Sequence, residues 1–264
     1  MRGRLDLWLL PQPQPQGRAA PLARHELDEA ERRRADSFRR PADRDLYVAA
    51  HVALRRLLGA HLRVPPGQVA FARANCPRCG GPHGRPVLAG LHPATHFSLS
   101  HSHGLALIGV AGAPVGVDVQ RLPAPAGVEL CEPALHPYER AELHARPGEQ
   151  RAAFFARLWA RKEAYLKGVG SGIGPWTSET YLGDGGPGAP RPPGNWSLLD
   201  VPCGEGHAAA AAIRGARPSS VAVRRLPDWA AEVGRSSTDD AAPSDDLGPR
   251  DDRAILDDEP DGSA

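Results

Sequence analysis

Three apolar runs follow one another between residues 96 and 120 with almost nothing between them: HFSLSH (96–101), LALIGVA (105–111) and PVGVDVQ (114–120). Only Ser102-His103-Gly104 separates the first two, and only Gly112-Ala113 the last two. Such connections are too short for a crossover helix, so the runs are expected to turn back on one another as an antiparallel meander. This block places a sheet at the centre of the chain.

Helical patterns flank it. Residues from Leu22 to about Leu62 carry a helical repeat, with Val48, Val52, Leu54, Leu57 and Leu58 as an apolar stripe. After a Pro-rich linker at 123–127, residues 137–146 read as a helix that begins at Pro137. The run from Glu149 to Lys167 reads as a long one, ended by the glycines at 168, 170, 172 and 174. Short strands are expected at 5–10, 195–201, 207–213 and 220–226. This order of elements predicts an α+β fold of two similar halves, a pseudo-dimer, rather than a βαβ sheet. The halves are placed at 1–115 and 116–227, followed by an acidic tail at 228–264 that lacks apolar periodicity and reads as disordered.

Charge is informative only when divided. The formal net charge of +1 argues against nucleic acid or a membrane surface as partner. Residues 228–264 nevertheless hold 12 acidic residues against 3 arginines, which leaves the body at +10. Arginine makes up 30 of the 32 basic residues, and the two lysines, Lys162 and Lys167, both lie in WARKEAYLK. In so arginine-rich a background, lysine marks a place where a compact ammonium is wanted. The apolar stretch at the N-terminus is too short for a signal peptide and no run approaches a membrane span, so a cytoplasmic location is expected.

Three segments carry chemistry. In VGVDVQ, strand alternation projects Gly116, Asp118 and Gln120 to one face and Val115, Val117 and Val119 to the other. A carboxylate and an amide oxygen beside a glycine that admits a ligand suit a hard cation such as Mg²⁺, although a half-buried strand with a polar outer face gives the same pattern. In the long helix, Trp159, Glu163 and Lys167 are spaced i, i+4, i+8 on one face. Their carboxylate and ammonium read either as an ordinary helix ion pair or as a metal ligand or base set beside an anion-binding group. In SLSHSHG, Ser100, His101 and Ser102 offer donors for a phosphate, while His101 and His103 could instead bind a transition metal.

Taken in order, GRP (84–86), SHS (100–102), VGVDVQ (115–120) and WARKEAYLK (159–167) resemble the motifs GKP, SHS, (V/I)G(V/I)D(V/I)E and WxxKEAxxK of the Sfp-type 4′-phosphopantetheinyl transferases. The resemblance spans roughly residues 5–226. It implies two α+β halves with coenzyme A in the cleft between them, and a holo-[acyl-carrier-protein] synthase type of activity. That activity moves phosphopantetheine from coenzyme A to a serine of an acyl or peptidyl carrier protein and releases adenosine 3′,5′-bisphosphate. By the same resemblance, Asp118, Gln120 and Glu163 would hold Mg²⁺ on the diphosphate. Glu163 would also be the base towards the carrier serine, and Lys167 would stabilise or protonate the departing diphosphate oxygen. Ser100 and His101 would meet the 3′-phosphate, and Arg85 the nucleotide end. The implied setting is polyketide or nonribosomal peptide biosynthesis, and two halves in one chain favour a monomer.

Two departures from the family pattern stand out. Gln120 replaces the usual second acidic ligand, and Leu46 replaces a basic residue, which passes the nucleotide contact to Arg44 or Arg40. Two rival readings follow: a homologue that binds coenzyme A without turnover, and an adaptor organised by the CPRCGGPH loop. In that loop Cys76, Cys79 and His83 provide three of four zinc ligands, with Cys131 or Cys203 as a possible fourth. Only one closely spaced pair is present, so the cysteines are read as a reduced loop pair near the coenzyme A entrance. The acidic tail, lastly, could mimic an acidic carrier protein lying over the basic body.

Overall fold

The computed structural model describes residues 3–13, 23–90, 92 and 94–226; the tail at 228–264 and its expected disorder lie outside them. The elements are β1 (Arg4–Pro11), α1 (Glu29–Ser37), α2 (Pro41–Leu62), β2 (Phe71–Arg73), β3 (Pro86–Leu88), β4 (His96–Ser102), β5 (Leu105–Ala111), β6 (Val115–Arg121), α3 (Pro125–Cys131), α4 (Pro137–His144), α5 (Gly148–Val169), β7 (Trp196–Asp200), β8 (His207–Arg214) and β9 (Ser220–Arg225). The α+β class therefore holds. Among the described residues, no helix is long and apolar enough to cross a membrane.

The meander is realised only in its first turn. Strands β4 and β5 pair antiparallel from His96↔Ala111 to Ser102↔Leu105, but β1 occupies the other edge of β5, from Leu5↔Ala111 to Pro11↔Leu105. With both edges of β5 taken, β6 leaves and opens a second sheet, ordered β6-β8-β7, while the first is ordered β4-β5-β1-β9. Strand β9 runs parallel to β1, so the end of the described chain returns to the sheet of its beginning.

The two sheets pack face to face through Leu5, Leu7, Leu9, Leu105 and Leu107 on one side and Val115, Val117, Val119, Ala209, Ala211 and Ile213 on the other. Helix α2 covers the outer face of the first sheet and α5 that of the second. Alanine is a poor strand former, yet Ala208 to Ala212 run through the middle of β8. Its small side chains let the inner sheet press on one face while α5 presses on the other, where Ala210 and Ala212 meet Ala160 and Ala164.

Several expected boundaries move. The helical stretch expected from Leu22 breaks before Pro41, because proline fits a first turn but not a helix interior. The same preference turns the expected linker at 123–127 into the start of α3, with Pro125 in its first turn. Strands β2 and β3 are three residues each, too short for a periodicity to show, and pair across the cysteine loop. Helix α5 runs on through Gly168 and stops at Gly170, whose left-handed φ of 87° provides the C-cap.

Candidate active site

The site forms where β4, β6 and α5 meet. Strand β6 bonds to β8 on one edge, and the backbone N–H groups of its other edge go to serine hydroxyls of β4. Val117 N donates to Ser98 Oγ (3.0 Å), Val119 N to Ser100 Oγ (3.4 Å) and Arg121 N to Ser102 Oγ (3.3 Å). The alternating serines of SLSHS thus fasten one sheet to the other and satisfy a strand edge that would otherwise be buried unpaired.

Helix α5 reaches β6 at Gly116. A methyl group there would lie 2.0 Å from the Ala164 carbonyl oxygen and 2.3 Å from Gly168 N. The glycine expected to admit a ligand admits a helix backbone instead. That close approach brings the Lys167 ammonium onto Asp118, which is wholly buried, with Nζ 2.7 Å from Oδ1.

Ser100 completes the cluster. Its hydroxyl donates to Asp118 Oδ1 (2.7 Å) and accepts from Lys167 Nζ (3.0 Å) and Val119 N, which uses all three of its hydrogen-bonding capacities. Gln120 donates Nε2 to the other carboxylate oxygen, Oδ2, at 2.9 Å. Glu163 is half-buried one helical turn before Lys167. Trp159, another turn back, stacks on Phe155 with centroids 5.7 Å apart and belongs to the packing.

The structure separates other residues that were expected to act together. Successive strand residues face opposite ways, so His101 points away from Ser100 and meets the edge of Tyr47 on α2, centroids 5.9 Å apart. Ser100 itself is turned to Asp118 rather than towards a phosphate. Arg85 packs its backbone against Gly170 at the end of α5, and its Nη1 lies 3.2 Å from His96 Nδ1. Burial, aided by Arg214, pushes its guanidinium pKa down. Arg44 lies in the first turn of α2 with Nε 3.4 Å from Asp45. Leu46 is buried in the core beside that turn, and its side chain makes no polar contact.

Lys162 has a structural place. It is buried, forms an ion pair with buried Glu139 at 2.9 Å, and donates to the Thr177 and Thr180 carbonyls at 2.8 and 2.6 Å. Burial lowers its pKa, with Glu139 opposing.

A second polar cluster joins His103 and Arg40, each noted in the sequence on its own, to Arg121 and His207, which were not. His103 sits in the β4–β5 turn with φ of 45°, and its Nε2 is buried with no hydrogen-bond partner among the described residues. Burial, then the nearby Arg121, His207 and Arg40, push its pKa down to about 4. Arg121 and His207 face one another across β6 and β8. Four basic residues far apart in sequence thus converge beyond the Ser100 end of β4, a field that favours an anion.

The cysteine loop lies apart from both clusters. Ligand atoms of Cys76, Cys79 and His83 lie within 4.8 Å of one another, and no other His, Cys, Asp or Glu trio among the described residues does so. Cys131 and Cys203 belong elsewhere. Cys131 packs beside Phe154 and Phe155, and Cys203 lies in the core between the sheets, where burial raises its pKa to about 11. Neither completes the trio.

Comparison with known proteins matches residues 114–192, the stretch holding Asp118, Gln120, Glu163 and Lys167, to the 4′-phosphopantetheinyl transferase superfamily. The 4′-phosphopantetheinyl transferase HetI of Nostoc sp. is 34% identical over 216 residues, covering 80% of this chain and 88% of HetI. A 4′-phosphopantetheinyl transferase of Bacillus pumilus is 30% identical over 139 residues, 53% of this chain and 56% of its own length. Sfp of Bacillus subtilis is 28% identical over 91 residues, 34% of this chain and 40% of its own. With one relative aligned over nearly its whole length, and with a buried carboxylate, a lysine and a helical glutamate gathered inside the matched stretch, the chain belongs to the 4′-phosphopantetheinyl transferase superfamily.

Proposed function

We propose that the protein transfers the 4′-phosphopantetheine group of coenzyme A to a serine hydroxyl of acyl or peptidyl carrier proteins, in the manner of a holo-[acyl-carrier-protein] synthase acting in the cytoplasm. The observation that carries this reading is the buried Asp118 carboxylate, held by Ser100, Gln120 and Lys167 on the helix that also presents Glu163. Transfer of this kind needs charge neutralisation and alignment more than covalent catalysis. The halves 1–115 and 116–227 supply the two sides of the cleft, β4 from one, β6 and α5 from the other.

The oxygen donors suit Mg²⁺: Asp118 and Glu163 would hold it with the amide oxygen of Gln120, and it would neutralise the diphosphate. Gln120 points its NH₂ at Asp118, so its amide would have to turn over to offer its oxygen to a cation. Lys167 is the resting counter-ion of Asp118 and shifts to the bridging oxygen of the diphosphate as that oxygen becomes the leaving group. Glu163 takes the proton of the carrier serine while its oxygen bonds to phosphorus, and the P–O bond to the adenosine bisphosphate breaks. Ser100 is a positioning residue that holds Asp118. The cluster of Arg40, His103, Arg121 and His207 receives the 3′-phosphate, and Arg85 adds a further cationic contact towards the other end of β4. The body charge of +10 would steer acidic carrier proteins to the cleft.

The test is to incubate the protein with coenzyme A, Mg²⁺ and an apo carrier protein and to weigh the carrier. The expected result is a gain of one phosphopantetheine, lost in Glu163→Gln and on magnesium chelation. Coenzyme A binding without any mass gain would overturn the reading in favour of an inactive homologue.

A further inference from the structure

We propose that Cys76, Cys79 and His83 form a zinc site that braces the loop between β2 and β3, independent of the transferase chemistry. The loop is closed at its base by the backbone bonds Ala74 N to Arg85 O (3.0 Å) and Gly84 N to Ala74 O (2.8 Å). Inside it, Cys76 N donates to Gly81 O (2.7 Å) and Gly80 N to Cys76 O (2.8 Å), a tight turn that faces the two cysteines the same way. The backbone N–H groups of Arg78 and Cys79 are aimed at the Cys76 sulfur, which fixes where that sulfur sits in the loop. Gly81 keeps the space open, since a methyl group there would lie 3.0 Å from the His83 ring and 3.4 Å from the Cys79 sulfur.

Two thiolates and an imidazole are a borderline-soft donor set that selects zinc over magnesium or calcium. Cys79 Sγ and His83 Nε2 are 2.9 Å apart as a hydrogen-bonded pair. A cation between them spreads this pair to about 3.5 Å, the edge of a zinc tetrahedron. His83 and Cys79 are both exposed and free to make that shift. With Cys131 and Cys203 in other cores, the fourth ligand comes from solvent. The lone Cys-x-x-Cys that argued against a four-ligand structural site thus suits a three-ligand clamp. The brace has two consequences: it fixes Arg78, whose guanidinium lies 5.2 Å from the Trp176 ring centroid, and it fixes the entry into β3 beside Arg85.

The test measures metal, not transfer. The full chain, expressed in zinc-replete medium and purified without metal affinity resin or chelator, is expected to carry about one zinc per molecule by elemental analysis and native mass spectrometry. The double variant Cys79→Ser/His83→Ala loses it, and His83→Cys retains it. Cobalt substituted into the wild type gives thiolate-to-cobalt charge transfer that is absent in the double variant. Trypsin cleavage after Arg78 accelerates when a chelator is added to the wild type and is unaffected by chelator in the double variant. Wild-type protein that stays zinc-free after dialysis against zinc, equal zinc in the double variant, or a Cys76–Cys79 disulfide in freshly purified protein would each overturn the site.

Discussion

Replacing Lys167 with methionine keeps most of the side-chain volume and removes the ammonium from Asp118. At a separation of 2.7 Å, opposite unit charges attract by about 6 kcal/mol at an effective dielectric constant of about 20. The lysine side chain is 35% exposed while that of Asp118 is 1% exposed, so solvent screens part of the attraction and about 3 kcal/mol is the working figure. Lys167→Met leaves a buried carboxylate with only the Ser100 hydroxyl and the Gln120 amide to hold it, and is expected to destabilise the protein by about that amount. Asp118→Asn leaves an ammonium that can turn to water and costs about 1 kcal/mol. The double variant removes both charges and regains most of the Lys167→Met loss. Urea unfolding at pH 7 of the four proteins closes a double-mutant cycle with an expected coupling of about 2 kcal/mol or more. Magnesium adds a second readout: without coenzyme A it should raise the unfolding midpoint of Lys167→Met more than that of the wild type or the double variant. A coupling below about 0.5 kcal/mol, or a double variant no more stable than Lys167→Met, would show a screened surface contact and refute the argument that Lys167 stands in for the cation.

Lys162→Met strands Glu139 in the core and is expected to cost about 3–5 kcal/mol of stability, read by thermal or urea unfolding; Lys162→Arg does not rescue it, because three converging acceptors around a buried ammonium have no room for a planar guanidinium. Gly116→Ala forces α5 off β6 and is expected to destabilise by about 3 kcal/mol or more and to abolish transfer, whereas Gly148→Ala, with open space around it, leaves both unchanged. His103, with its pKa lowered to about 4 in the folded state from an ordinary 6.5, is neutral when folded. The unfolded chain therefore binds the extra proton between those values, and stability falls as pH drops from about 6.5 towards 4. His103→Asn is expected to flatten that slope in urea titrations, and saturating coenzyme A to reduce it, because a bound phosphate raises the imidazole pKa again.

The scarcity of lysine drew attention to one helix, and it did so for two different physical reasons. Lys167 neutralises the site carboxylate, while Lys162 is a buried structural donor, and no spacing rule separates these roles because both lie on α5. Likewise, VGVDVQ placed Asp118 and the valines on opposite faces correctly, since alternation is a local property of a strand. What lay opposite Asp118 was not local. Gly116 reads as room for a ligand, but α5 fills that room, and Ser100 reads as a phosphate donor, but its hydroxyl is turned to Asp118 and Val119 of β6.

Local geometry thus made most of the elements and the α+β class legible from the amino-acid order alone, because periodicity, proline and glycine act within a few residues, whereas Asp118, Gln120, Glu163 and Lys167 were singled out by the resemblance of their segments to the family motifs. Tertiary packing alone decided that β6 leaves the first sheet, that serine hydroxyls join the two sheets, and that Arg40, His103, Arg121 and His207 share one field. Those outcomes depend on which strand edge is already occupied and on how closely a helix can approach a glycine, and both are set by contacts between residues dozens of positions or more apart.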